Sequence, residues 1–184
     1  MNRKYKCLLP QAALLILLVP ICLMAQTQKQ PVYVILLDNT GSMKTQFPQV
    51  QALAKTIVKR LNQSGPISIV TFKRQGAVAI LNPDIDWEQD ENKLTNYIDA
   101  LSTVTGQTAL FDAVASAGDI LDTKTSSQKI LILITDGDDR MRRATGMVSS
   151  STDEYDRWRK ARDQLVKKSK QSGITTYVMA SLVS

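Results

Sequence analysis

Three oxygen-bearing side chains, Asp38, Thr40 and Ser42, stand at alternate positions in the stretch VILLDNTGSMK. Two further oxygen donors occur later, Thr108 before an apolar helical pattern and Asp136 directly after an apolar strand pattern. The set contains carboxylates and hydroxyls but no nitrogen or sulfur donor. Hard divalent cations such as Mg²⁺ prefer oxygen ligands of this kind. The five residues therefore predict a divalent-cation site, provided that the fold brings them together.

Each segment also has an ordinary structural interpretation. A cluster of Asp, Thr, Gly and Ser after a strand is commonly a turn or the start of a helix. Thr108 taken alone is a natural N-cap for a helix that begins at the next residue. Asp138 and Asp139 either extend the acidic site or are solvated loop charges, and the second interpretation is preferred. Only the combination of the three segments favours metal binding.

Composition excludes several other kinds of site. Histidine is absent, and the only two cysteines, Cys7 and Cys22, lie within the first 25 residues. The remaining chain therefore cannot build the usual zinc sites, a Ser-His-Asp triad or a Cys-His pair. Half of the formal net charge of +6 also comes from basic residues of that first segment, so no nucleic-acid partner is expected.

Residues 1–25 have the pattern of a secretory signal. Arg3, Lys4 and Lys6 precede an apolar run, and a small residue, Ala25, comes before the polar start at Gln26. The alternative is an uncleaved membrane anchor, because the apolar stretch is near the lower length limit for a membrane span, although prolines interrupt it. We expect cleavage, an exported periplasmic or secreted protein, and only transient membrane contact. Residues 26–31 are then a short polar lead-in.

Apolar runs predict five strands. PVYVILL at residues 31–37 and KILILIT at residues 129–135 are typical of strands covered on both faces, as in a parallel sheet. ISIVTF at residues 67–72 and AVAIL at residues 77–81 predict an antiparallel hairpin. Residues 174–179 predict the last strand.

Helical spacing of apolar residues predicts helices at residues 48–63, 90–101, 109–121 and 151–172. Ser151 and Glu154 form a capping box that begins the last of them. We expect the basic residues of this helix to form a solvated surface: Arg157, Arg159, Lys160, Arg162, Lys167, Lys168 and Lys170.

The alternation of strands and helices predicts an α/β fold. The expected sheet is open, mostly parallel and doubly wound, with one antiparallel strand and helices on both faces. Ligands of such sheets bind beyond the carboxyl ends of the strands, where the strand order reverses. Asp38 and Asp136 each follow such an end. The spacing alone leaves open whether Asp38, Thr40 and Ser42 follow an extended chain or curl around a point.

In this order, the segments DNTGSM, TGQTALFDA and ILITDGDD resemble the metal-ion-dependent adhesion site of von Willebrand factor type A domains. The resemblance implies a domain at residues 32–184. It also implies that Thr40, Ser42 and Thr108 ligate Mg²⁺, or Mn²⁺ or Ca²⁺, through their hydroxyls, and that Asp38 and Asp136 bind the ion directly or through water. Thr40 replaces the commoner serine of the family but keeps the hydroxyl.

The resemblance further implies a non-catalytic interaction module, used for adhesion or as a scaffold, in which a carboxylate from a protein partner completes the metal coordination. An alternative from another class is a Mg²⁺-dependent phosphatase similar to the haloacid dehalogenases. Asp38 would then be the nucleophile, Thr135 the phosphate-binding hydroxyl, and Asp138 with Asp139 the magnesium ligands. This alternative fits less well, because Thr40 stands where that family has a second acid.

The end of the domain departs from the family pattern. In type A domains a further edge strand and a closing helix follow the position of residues 174–179. This sequence stops at Ser184 without them, so we expect an exposed sheet edge and a partly uncovered sheet face. Either the gene product is truncated, or a partner or a second copy of the chain supplies the cover. For the isolated chain we expect marginal stability or self-association through that edge.

Overall fold

The computed structural model describes residues 30–75, 78–104, 110–126, 128–136 and 152–180. These residues form, in chain order, β1 (Val32–Asp38), α1 (Phe47–Leu61), β2 (Ile67–Gln75), β3 (Val78–Glu88), α2 (Glu91–Ala100), α3 (Leu110–Asp122), β4 (Lys129–Thr135), α4 (Thr152–Gln171) and β5 (Ile174–Ala180). Every predicted strand and helix has a counterpart. Apart from β2 and β3, the predicted and observed ends agree within two residues.

The strands form one sheet in the order β3-β2-β1-β4-β5. β1 is parallel to both of its neighbours, β4 is parallel to β5, and only β2 and β3 are antiparallel. The predicted fold class is therefore confirmed. The chain proceeds from β1 through β2 to β3 and later returns to the other side of β1 as β4, so the strand order reverses between β1 and β4. Ligands of α/β sheets bind at such a switch point.

The prediction for β3 was wrong at its carboxyl end. We expected the strand to end at Leu81, but it continues to Glu88, and Pro83 pairs with Val70 of β2. Proline lacks the N–H group that an interior strand must donate on one side. Because β3 has a strand neighbour on one side only in the described sheet, it tolerates Pro83 where an interior strand would not.

Helices cover both faces of the sheet. One face packs against α1 and α2 and uses Tyr33, Ile35 and Leu37 of β1. The other face packs against α3 and uses the alternate residues of β1, with α4 lying against α3 and β5. The burial of both faces explains the nearly continuous apolar sequence of β1, which alternation between a wet and a dry face would not produce.

The connection from α1 to β2 passes close to the entrance of β1. A Cβ atom added at Gly65 would lie 1.9 Å from the carbonyl oxygen of Pro31, which is inside any allowed contact distance. Tyr33 N also donates to Pro66 O over 3.0 Å. Glycine at position 65 thus permits the close approach that aligns the first residues of β1 and β2.

β5 is the outermost strand of the described sheet, and it is poorly covered. Tyr177 is 55% exposed and Val178 is 60% exposed, on opposite faces of the strand. A cleft of about 160 Å³ lies between α1 and the ends of β4 and β5, lined by Gln49, Val50, Leu53, Ile134, Met179 and Ala180. The α1 pattern predicts an inward position for Leu53, yet this residue is exposed, because nothing in the described part of the chain fills the cleft.

Candidate metal centre

The chain leaves β1 in a tight curl. Asp38 and Thr40 are 0% and 1% exposed, and Thr40 is still extended, with φ −72° and ψ 167°. A single 3-10 turn, Gly41–Met43, follows, and Met43 N donates to Thr40 O over 3.0 Å. The side chain of Met43 is fully buried in the core and anchors this turn. Asp38, Thr40 and Ser42 therefore lie in a curled loop rather than along an extended chain.

Three hydrogen bonds hold the carboxylate of Asp38. Its Oδ1 accepts from Thr40 N over 3.1 Å and from Thr40 Oγ1 over 2.7 Å. Its Oδ2 accepts from Thr135 Oγ1 over 2.7 Å. The donors come from the next loop and from the neighbouring strand, so the buried carboxylate is supported from both sides.

Ser42 lies beside Thr40 in this arrangement. The two hydroxyl oxygens are 3.2 Å apart. Adjacent oxygens of an octahedral Mg²⁺ site, each about 2.1 Å from the ion, are about 3.0 Å apart. Because Thr40 donates its proton to Asp38, the lone pairs of its oxygen can face an ion. Thr40 and Ser42 therefore fit two neighbouring positions around a hard cation.

The electrostatics of Asp38 favour a compensating positive charge. Burial raises the pKa of this carboxyl above its ordinary value, the hydrogen bonds from Thr40 and Thr135 act in the opposite direction, and the charge of Asp136 adds to the rise. The net direction is upward. A divalent cation at this edge would stabilise the ionised form and offset the repulsion between the two carboxylates.

Of the two remaining predicted ligands, Asp136 lies within the described residues and Thr108 does not. Asp136 directly follows β4 and is half-buried, close enough for its charge to act on Asp38. Thr108, Asp138 and Asp139 lie outside the described residues, as does Ser151 of the predicted capping box. Their roles stay predictions.

Residues 102–104 are attached to the loop after β1. Val104 pairs with Thr40 as an isolated parallel bridge, and Val104 N donates to Asn39 O over 2.8 Å. Asn39 Nδ2 also donates to Ser102 O over 3.3 Å. Thr108 follows Val104 by four residues in the sequence. The structure thus holds residues 102–104, which directly precede the second predicted segment, beside the first segment.

Gln51 and Asn39 support this region through hydrogen bonds that the sequence pattern does not predict. Gln51 Nε2 donates to Ile98 O over 2.7 Å and to Leu101 O over 3.1 Å, so α1 supports the carboxyl end of α2 and the start of the segment that reaches Val104. Unsatisfied carbonyls at a helix end are natural acceptors for such a side chain. Nothing in the local pattern of α1 distinguishes Gln51 from other polar positions.

The described donors of the candidate site are all oxygens, which suit hard divalent cations better than metals that prefer nitrogen or sulfur ligands. In the described part of the chain, no three His, Cys, Asp or Glu side chains gather into a cluster. Asp38, Thr40 and Ser42, with Asp136 nearby, supply oxygens only, which suits Mg²⁺, Mn²⁺ or Ca²⁺.

The described basic residues of α4 are exposed, and Lys168 pairs with Asp119 of α3, as expected of a solvated surface.

The phosphatase alternative finds no support. Its nucleophile, Asp38, exposes no surface to an incoming phosphoester. Its phosphate-binding hydroxyl, Thr135, donates its proton to Asp38 instead. A carboxylate that is enclosed by the residues meant to assist it is poorly placed for attack.

Several solved structures share the fold. BatB from Bacteroides thetaiotaomicron has a TM-score of 0.59 and 17% identity, covering 82% of this chain and 66% of BatB. Manganese-loaded TRAP from Plasmodium vivax has a TM-score of 0.55 and 16% identity, with coverage of 83% and 57%. The vWF domain of the type V pili tip protein Mfa5 from Porphyromonas gingivalis has a TM-score of 0.50 and 24% identity, with coverage of 59% and 38%. The chain spans less than two thirds of each, and at these identities the likeness shows the fold alone.

A comparison with curated protein sequences found no match. The sequence profile of the von Willebrand factor type A domain matches residues 33–138, which is more than half of the chain. The matched range includes every residue of the predicted metal site. The chain therefore belongs to the von Willebrand factor type A domain family.

Proposed function

We propose that this chain is a non-catalytic interaction module that binds an acidic group of a protein partner through a divalent cation, Mg²⁺ or alternatively Mn²⁺ or Ca²⁺. The observation that carries the proposal is the pair of hydroxyl oxygens of Thr40 and Ser42, 3.2 Å apart, beside the buried carboxylate of Asp38. This arrangement lies at the switch point of the sheet, between β1 and β4.

Each residue of the site has a distinct role in this proposal. Thr40 and Ser42 present neutral hydroxyl oxygens, and Thr108 adds a third by the family resemblance. Asp38 accepts the proton of Thr40, so that the lone pairs of the Thr40 oxygen can face the cation, while Asp136 contributes a second negative charge. When bound, the cation supplies a coordination position that the carboxylate of the partner completes.

Family membership supports an interaction role, and a pilus protein occurs among the proteins of similar fold. Mfa5 is a pili tip protein, and the TRAP structure is manganese-loaded. We further propose that residues 1–25 are a cleaved signal and that the domain works outside the cytoplasm, in the periplasm or secreted. No helix among the described residues is both long and apolar enough to cross a membrane.

The metal site is tested by thermal unfolding with and without Mg²⁺ or Mn²⁺. An ion that binds only the folded state stabilises it by about 2.7 kcal/mol at a concentration of 100 Kd. We expect Asp136→Ala to abolish the metal-induced rise in Tm while relieving carboxylate repulsion in the metal-free protein. Asp99→Ala is the matched control, because it removes an exposed carboxylate of α2 that pairs with Lys55. A folded wild-type protein that binds no divalent ion in calorimetry would overturn the proposal.

The partner chemistry needs a second experiment. The protein is used to capture binding partners from the native cell envelope in Mg²⁺ and, in parallel, in EDTA. We expect a partner that is lost in EDTA and that no longer binds when its contacting Asp or Glu is changed to Asn or Gln. Equal capture of the same partner in EDTA would contradict a metal-bridged contact.

A further inference from the structure

The hydroxyl of Thr135 joins the ends of two strands that are 97 residues apart in sequence, through its hydrogen bond to Asp38 Oδ2. Leu37 and Ile134 are the last paired residues of β1 and β4, and Asp38 and Thr135 are the next residue of each strand. Both side chains are buried, at 0% and 1% exposure. Thr135 therefore contacts Asp38 by virtue of strand register, at the point where both β1 and β4 end.

This contact limits the rotation of the Asp38 carboxylate. The terminal torsion of an aspartate is broad and nearly two-fold, so a carboxylate held at one oxygen can still swing. Here Thr40 binds Oδ1 and Thr135 binds Oδ2. Held at both oxygens by donors on different elements, the carboxylate has a single orientation.

The orientation of Asp38 in turn determines the orientation of the Thr40 hydroxyl. The Thr40 proton points to Asp38 Oδ1, and its oxygen lies 3.2 Å from Ser42 Oγ. A rotated carboxylate would withdraw this acceptor and let the Thr40 hydroxyl turn. The spacing of the two hydroxyl oxygens therefore depends on the far side of Asp38, where Thr135 lies.

We propose that Thr135 is a positioning residue of the metal site, which acts through Asp38 to hold the Thr40 and Ser42 oxygens in their binding arrangement. This inference rests on the function proposed above and assigns a role to a residue outside the predicted ligand set. Residues that orient metal ligands by hydrogen bonding commonly affect metal affinity by about 10- to 100-fold when they are replaced.

The test measures Mg²⁺ and Mn²⁺ affinity by calorimetry for the wild type, Thr135→Val and Thr135→Ser. Valine keeps the branched shape and removes the hydroxyl, whereas serine keeps the hydroxyl and removes the methyl group. We expect Thr135→Val to weaken metal binding by about 10-fold or more and Thr135→Ser to restore affinity close to that of the wild type. Thr71→Val is the matched control, because Thr71 is a buried threonine of β2 on the opposite face from Asp38.

The outcomes separate this inference from the proposed function. A wild type that binds metal, together with a Thr135→Val protein of equal affinity and an equal metal-induced rise in Tm, would overturn the positioning role alone. A wild type that binds neither ion would overturn the proposed function and this inference with it. Should Thr135→Val fail to fold, the pair Thr135→Ala and Thr135→Ser differs only in the hydroxyl oxygen and answers the same question.

Discussion

Asp38 combines full burial with a charge that the metal-site proposal requires. Taking a carboxylate out of water disfavours its ionised form, and hydrogen bonds to that form compensate in part. In this chain burial is the larger influence and raises the pKa of Asp38, with Asp136 acting in the same direction. The ionised form of Asp38 is therefore unfavourable in the metal-free site, and a bound cation would stabilise it.

The raised pKa of Asp38 predicts the pH dependence of the metal-free protein. The folded state holds the Asp38 proton more tightly than the unfolded chain, whose carboxyl titrates near 3.8. The contribution of Asp38 to the free energy of unfolding is therefore most favourable below that value and is lost as the pH rises through the raised folded pKa. Urea unfolding in EDTA should show the wild type gaining stability relative to Asp38→Asn on acidification. Relative loss of stability on acidification would mean that hydrogen bonding outweighs burial.

The two outer strands of the described sheet differ in how their edges are protected. The β3 segment contains Pro83, Asp84 and Asp86, and both proline and charge discourage the pairing of another strand. β5 has the sequence ITTYVMA, with neither proline nor charge, and exposes Tyr177 and Val178. In the described sheet, the outer edge of β5 has no strand neighbour and carries exposed apolar side chains, so β5 is more prone than β3 to pair with another chain.

We predict that the isolated chain self-associates through β5. Sedimentation should show a concentration-dependent increase in mass, and Tyr177→Lys or Val178→Lys should reduce it by placing a charge on the edge. Asn96→Lys is the control, since it adds the same charge on the exposed surface of α2, which contacts α1 and β3 rather than β5. A wild-type chain that stays monomeric and unfolds in one sharp transition would contradict the prediction.

For the molecule as a whole, the first 25 residues account for both cysteines and for half of the formal net charge. If they are removed as proposed, the remaining residues of this sequence contain no thiol and no histidine, so their chemistry must come from oxygen donors and basic side chains. Among the described residues, Asp38, Thr40 and Ser42 lie together at the switch point between β1 and β4, with Asp136 nearby.

Removal of the signal can be checked directly. We expect mass spectrometry of the native protein, recovered from an envelope or secreted fraction, to find an N-terminus near Gln26. The basic start, the apolar segment and the polar residues after Ala25 are the reasons for this expectation. A soluble cytoplasmic protein with Met1 or Asn2 at its N-terminus would exclude export by this route.

The sequence by itself determined the element types and their order, and it supplied the oxygen donors on which the proposed metal site rests. Strands such as β1 and β4 can be predicted from the sequence because burial on both faces requires a nearly continuous apolar, β-branched run. The oxygen donors Asp38, Thr40 and Ser42 are likewise visible as residue types, and their absence of nitrogen and sulfur partners already indicates a hard cation.

Only the tertiary structure decided how these residues meet. The hydrogen bond from Thr135 to Asp38, the pairing of Thr40 with Val104 and the tolerance of Pro83 in β3 all depend on which strands are neighbours and in what register. The exposure of Leu53 depends in the same way on what covers the ends of β4 and β5. Local periodicity states which face of an element is apolar, but it carries no information about the partner that the face or the strand end will contact.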